Sequence, residues 1–419
     1  MVNTAHLSVE SAPPIQIPFR FFLTAPLFGV LFALLLSWSG ADLVESRWSP
    51  QLIGALHLLN IGVLMMMVSG VLFQMLPVVG GIQFPWIGGL SRLLHLSLTA
   101  GTLLLSAGMI FSQPPLLSLA LWGVMLGLIP YLLLFFWLLL RIAAPPEWAR
   151  LLRYTLPFLL LLAGLGVMLL MGWSQEGVAL QRNWTDIHAV WGLGGWFTLL
   201  LMATSFQLIP MFQVTPPFPD WMKQWVVPLV ALSLLLWGVT SNQVLLMLAA
   251  VGIMLYGSVT LYLLRQRKRK IFDVTVRFWQ IALFSLALGA TLLLLSLLIK
   301  QIIPSWLALF WIFAVLLPML LGMVLKIAPF LVFLHLQQQM IRDPSQMGNL
   351  AALPNLFQIL PTRWGKILLG LYLAAAVTVL LAFFYPVLLQ ITGIILFFLF
   401  SWLGWIVYHC YQVYNARAL

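Results

Sequence analysis

Apolar residues run along this chain in long blocks, separated by short stretches in which Pro, Gly, Arg, Lys and Asp collect. A helix needs about 20 apolar residues to cross a bilayer, and most of these blocks have that length. Reading the blocks between breakers predicts twelve spans, at about 20–39, 51–78, 91–111, 115–140, 152–173, 186–209, 225–240, 243–264, 275–299, 304–334, 366–385 and 387–408. The divisions rest most lightly on Gln113 to Pro115, Ser241 to Gln243 and Tyr385 to Pro386. Runs such as LLLFFWLLL and IILFFLFSWLGW lack the polar alternation of a porin strand, so the backbone must satisfy its hydrogen bonds as helix. The expected fold is an all-α integral membrane protein, one polytopic domain over 1–419, with tails at 1–19 and 409–419.

Composition leaves no room for a large soluble domain. Of 419 residues, 63% are hydrophobic and 7% charged, against roughly 25% charged in an ordinary soluble domain. The net charge of +11 does not point to nucleic acid, because the cations are spread thinly between apolar blocks. They set orientation instead. With the N-terminus inside, all of the 20 Lys and Arg residues except Arg47, Arg182 and Lys300 fall on the cytoplasmic side, as the positive-inside rule requires. Both termini are then cytoplasmic. Trp48, Trp184 and Trp306 fall near the starts of even-numbered spans, where aromatic anchors at the outer interface belong. One cysteine, Cys410, excludes a disulfide framework, a thiolate zinc site and a CxxCH haem attachment. The first 19 residues carry no Lys or Arg and no cleavage pattern, so the first block is expected to stay as a helix.

The chain repeats itself. Phe73-Gln74-Met75-Leu76-Pro77, followed by Phe84-Pro85-Trp86, matches Phe206-Gln207-Leu208-Ile209-Pro210, followed by Phe218-Pro219-Asp220-Trp221. A third copy, Gly322 to Pro329, parallels Gly70 to Pro77 with Lys326 in the place of the glutamine and Pro329 in the place of the proline. These copies end spans 2, 6 and 10, so the repeat unit is a block of four spans used three times. Two histidines stand near the outer starts of spans 2 and 6, His57 in GALHLLNIG and His188 in TDIHAVWGLGG. His57 precedes Gln74 by 17 residues and His188 precedes Gln207 by 19. In a regular helix that difference turns the two rings roughly 200° apart, so equivalence requires a bulge or gap.

On these features the chain resembles the superfamily of haem-copper oxidase subunit I, and more nearly its NnrS-type relatives linked to nitric oxide metabolism. The resemblance implies twelve helices in three four-helix arcs and a bacterial inner-membrane location. It also implies haem or copper held by histidines toward the outer face, with His57 and His188 as the matching positions. Respiratory or denitrification membrane proteins are the partners it implies. The chain departs from the pattern in span 7 and in the outer part of span 10, neither of which holds a histidine. An oxygen reductase is therefore not expected.

A buried imidazole in a bilayer calls for a partner, and His57 lies about two turns inside its span. The alternatives are a metal ligand, or a structural histidine bonded to a neighbouring helix or to Asn60. His188 follows Trp184 and Asp186 at the interface and is a second ligand candidate or a hydrated ring. His95, His335 and His409 fall at cytoplasmic span ends, where histidines commonly cap carbonyls. Met65, Met66 and Met67 face three directions, as packing residues do. Lys326, near the inner interface, is expected to snorkel. No acidic residue falls at a span centre, which argues against ion-coupled transport. Two further function classes remain open: a permease for a small solute, with the Pro-bearing ends of spans 2, 6 and 10 as a gate, and a non-catalytic assembly partner of a respiratory complex.

Overall fold

A computed structural model describes residues 9–142, 145–175, 184–300, 302–342 and 353–417. Arg182, used above, lies outside them. The structure is 85% helical, with no strands among the described residues. Among the described residues, twelve helices are long and apolar enough to cross a membrane: α1 Gln16–Val44, α2 Pro50–Gly80, α3 Ile87–Ile110, α4 Pro114–Arg141, α5 Glu147–Ser174, α6 Trp184–Gln213, α7 Met222–Thr240, α8 Gln243–Arg265, α9 Val274–Ile299, α10 Trp306–Arg342, α11 Thr362–Ala382 and α12 Leu388–Asn415. The protein is an all-α multi-pass membrane protein, and its environment is a lipid bilayer.

Local chemistry explains where several helices begin and end. Ser49 caps α2 by accepting a hydrogen bond from the Leu52 N–H, with Pro50 at the first helical position. Asn242 caps α8 in the same way, accepting from the Val244 N–H. Gly81 closes α2 with φ 64°, a left-handed conformation that glycine adopts without a Cβ clash. Pro77 lies three residues before the end of α2, and Pro210 three residues before the end of α6. Pro329 differs. Helix α10 runs on past it to Arg342, so the third copy does not close its helix and cannot act as a helix-end gate. Likewise α12 continues through His409 to Asn415, well beyond the expected start of the C-terminal tail.

The chain forms two compact units. One comprises α1 to α3, α4 up to Leu128, residues 273–275, α10 from Leu320 onward, α11 and α12. Within it α1 packs along α12 and against α2, α2 packs on α3, and α11 packs on α12. Glycines bring α3 and α4 together: a Cβ at Gly108 would meet the Leu117 backbone and side chain, and one at Gly127 would meet Ser97 and the Leu93 carbonyl. Such close approach is how helices associate where lipid and side chain are equally apolar. The other unit comprises α4 from Ile129, α5 to α8, α9 from Val276, and α10 up to Met319. There α5 packs on α6, α7 on α8, and α6 on α7. The apolar blocks do not distinguish lipid-facing helices from enclosed ones. Helix α2 is the most enclosed of the twelve and α11 the least, although both have a mean hydropathy of 2.0.

Candidate functional site

The three helices that carry the sequence repeat share a backbone irregularity. Leu58–Met65 in α2, Trp191–Thr198 in α6 and Trp311–Leu316 in α10 are π-helical. A π turn widens the helix by one residue per turn and costs backbone regularity, and such bulges collect at functional sites. Their register follows the repeat. Gln74 lies nine residues after Met65 and Gln207 nine after Thr198, while Lys326 lies ten after Leu316. A further π segment, Met222–Val226, opens α7.

In the second unit described above, the π segments of α6 and α10 are tied together. The Trp311 indole N–H donates to Thr198 Oγ1 at 2.9 Å, and the Thr198 hydroxyl donates to the Leu193 carbonyl, five residues back. Trp191, the first residue of its π segment, donates from its indole to the Leu234 carbonyl of α7. Sequence reasoning missed Thr198 and Trp311. The available signal was a tryptophan inside an apolar block, since a buried indole N–H needs an acceptor and here finds one at a π segment. Replacing Trp311 with Phe keeps most of the ring and removes the donor, so stability should fall by about 1 kcal/mol. Thermal unfolding in detergent measures it.

His57 is the residue immediately before the π segment of α2. It is half-buried, and its Nδ1 lies 2.7 Å from the Ile53 carbonyl of the same helix. A carbonyl accepts, so Nδ1 carries the proton, and in the neutral ring the lone pair is on Nε2. Asn60 Oδ1, three residues on, is buried and accepts no hydrogen bond among the described residues. An N–H···Oδ1 bond from His57 to Asn60 is therefore not formed. Gln74, further along the same helix, is 4% exposed and neither atom of its amide has a partner among the described residues. In α6 the Trp196 indole N–H is likewise buried without an acceptor.

His188 occupies a different position. It precedes its π segment by three residues where His57 precedes its own by one. The two π segments have equal length, so they do not absorb the two-residue offset, and the histidines are not repeat equivalents. The His188 ring instead lies over Gly166 of α5, where an added Cβ would sit 3.3 Å from Cε1. His57 and His188 belong to different compact units. The other helix-end histidines have local partners. His95 Nε2 lies 2.8 Å from Thr24 Oγ1. The two ring nitrogens of His335 lie 2.8 and 2.9 Å from the Leu331 and Pro13 carbonyls. The His409 ring packs edgewise on Trp364.

Lys326 does not snorkel freely. Its ammonium lies 2.6 Å from the Asp273 carboxylate, with about a fifth of each side chain exposed. Asp273 also accepts from the Thr275 N–H at the start of α9. Burial opposes charge on Asp273, but the Lys326 ammonium and the Thr275 N–H outweigh it and hold the carboxyl below its ordinary value.

Among the described residues, no three His, Cys, Asp or Glu side chains converge as a metal cage would require. No known protein-family model matches the chain, and neither does any curated protein.

Proposed function

We propose that this protein is a haem protein of the bacterial inner membrane, with His57 as an axial ligand and both termini in the cytoplasm. The observation that carries this reading is the His57 ring itself: Nδ1–H is fixed on the Ile53 carbonyl at the start of a π segment. A metal-ligating histidine is commonly oriented by such a hydrogen bond from its second nitrogen, which fixes the tautomer and raises ligand basicity. Donor chemistry favours haem over a copper ion alone. A porphyrin supplies four of the iron's ligands and needs one or two from protein, whereas copper sites draw several donors from side chains. His188 is the second candidate donor, for a copper ion separate from the haem, and a lone imidazole would hold it weakly. When bound, a haem iron offers one-electron chemistry and a position for a diatomic ligand. A part in nitric oxide or respiratory stress handling, beside respiratory or denitrification membrane proteins, follows from the resemblance to NnrS-type proteins.

The test is purification in detergent after expression with haem precursor and copper supplied, followed by iron and copper quantification and a reduced-minus-oxidised spectrum. Wild type should carry about one haem per chain. His57→Ala should lose it or alter its spectrum while inserting normally, His57→Gly should regain it with added imidazole, and His188→Ala should keep it. Wild-type protein free of both metals would overturn the reading and favour a permease.

A further inference from the structure

The connection from α8 to α9 concentrates positive charge as no other part of the chain does: Arg265, Arg267, Lys268, Arg269 and Lys270 fall within six residues. The positive-inside rule accounts for the charge but not for its arrangement. The loop is folded on itself. Arg267 Nη2 donates to the Ile271 carbonyl at 2.6 Å, and Lys270 Nζ donates to the Arg265 carbonyl at 3.0 Å. The Lys268 backbone N–H donates to the Val214 carbonyl at 3.0 Å, which fastens the loop to the segment after α6. Arg277, at the start of α9, places its guanidinium over the Phe272 ring at 5.6 Å. Three cationic side chains are thus committed to shaping the loop. Among the described residues, the side chains of Arg265 and Lys268 have no such commitment, and both are exposed.

The apolar surroundings show what these two cations face. Tyr262, three residues before Arg265 and hence on the same face of α8, is 59% exposed, and Ile271 and Phe272 are each more than half exposed. A soluble partner would leave this apolar rim in water. A bilayer interface covers it, because aromatic rings settle at headgroup level and cations just beyond them. We infer that Arg265 and Lys268 form a docking site for the phosphodiester headgroup of an anionic phospholipid, with Tyr262, Ile271 and Phe272 lying along the upper acyl region. The committed side chains hold the loop closed before the lipid arrives, so its headgroup meets a formed surface. Arginine suits a phosphate because its planar fork donates two parallel hydrogen bonds, while lysine adds a point charge.

The test uses the full chain in neutral detergent, titrated with phosphatidylglycerol or phosphatidylcholine and read by native mass spectrometry. Wild type should retain phosphatidylglycerol in preference to phosphatidylcholine, and raised salt should remove the preference. Each cation near a membrane surface contributes roughly five-fold in affinity, so Arg265→Gln with Lys268→Gln should weaken phosphatidylglycerol retention roughly 25-fold. Arg267, Arg269 and Lys270 remain in that variant to preserve orientation, and Arg265→Lys should keep part of the binding. Neutralising Arg363 and Lys366 instead should leave retention unchanged. Equal retention of the two lipids by wild type, equal loss from both double variants, or displacement of lipid by inorganic phosphate or polyglutamate would overturn the assignment.

Discussion

Lys326→Ala should lower the stability of the protein by about 2–3 kcal/mol at neutral pH. Removing one member of a fully buried ion pair costs roughly 3–5 kcal/mol, and the fifth of each side chain that stays exposed reduces this. The cost arises because Asp273 is left in a part-buried site with Thr275 as its remaining hydrogen-bond donor among the described residues. Lys326→Gln, which copies Gln74 and Gln207, should recover only part of the loss, since an amide can donate to the carboxylate but cannot balance its charge. The acid limb carries the sign. Because Asp273 has a lowered pKa when folded, it adds stability above its unfolded value, near pH 4, and loses that contribution as pH falls through the folded value. In Lys326→Ala the carboxylate has lost its counter-ion, so the gap to wild type should be widest at neutral pH and shrink below about pH 4. Unfolding in mixed detergent micelles at several pH values measures both. A gap that is small at neutral pH, or that widens in acid, would mean that the pair does not stabilise the fold.

The twelve helices were legible because bilayer thickness imposes one block length on every span, and short polar breaks interrupt the blocks. Their ends were less legible where a breaker did not break. Pro329 has the sequence context of Pro77 and Pro210, yet α10 continues for thirteen residues beyond it. Proline within a membrane helix is tolerated when neighbours satisfy the freed carbonyl, which composition does not reveal. The π segments left no direct trace, because a shift from one carbonyl partner to the next needs no particular residue type. The unequal spacing of His57 and His188 from the repeated glutamines was no trace of them either. That spacing was a true signal of non-equivalence, and the bulges, being equal in α2 and α6, leave it in place. The Asp273 to Lys326 pair joins residues 53 positions apart, and neither position marks its partner. For the candidate site, the place of His57 about two turns into its helix could be read from the sequence. The orientation of its ring could not, because that depends on a backbone carbonyl one turn away.

Gly393→Val should prevent the close packing of α1 on α12, while Gly370→Ala in α11 should leave the protein as stable as wild type or slightly more so. Both positions are glycines in apolar helices, and sequence pattern alone ranks them equally. Their surroundings decide otherwise. A Cβ at Gly393 would collide with the Ser37 backbone nitrogen and hydroxyl of α1 and would lie 2.8 Å from the Ala33 carbonyl. Nothing lies within 4 Å of a Cβ at Gly370. At Gly393 the obstacle is largely backbone, which cannot rotate aside as a side chain can. The Ser37 hydroxyl is also held, since it donates to that same Ala33 carbonyl at 2.8 Å. Even Gly393→Ala must push the helices apart, at the upper end of the roughly 1–3 kcal/mol typical of overpacking, and valine should cost more. Lipid cannot compensate, because helix association in a bilayer depends on packing more than on escape from water. At Gly370 the open space leaves only helix propensity, which favours alanine by up to about 1 kcal/mol. The comparison is the detergent unfolding midpoint of the three variants beside wild type. A Gly393→Val protein as stable as Gly370→Ala would show that α1 and α12 do not make this contact.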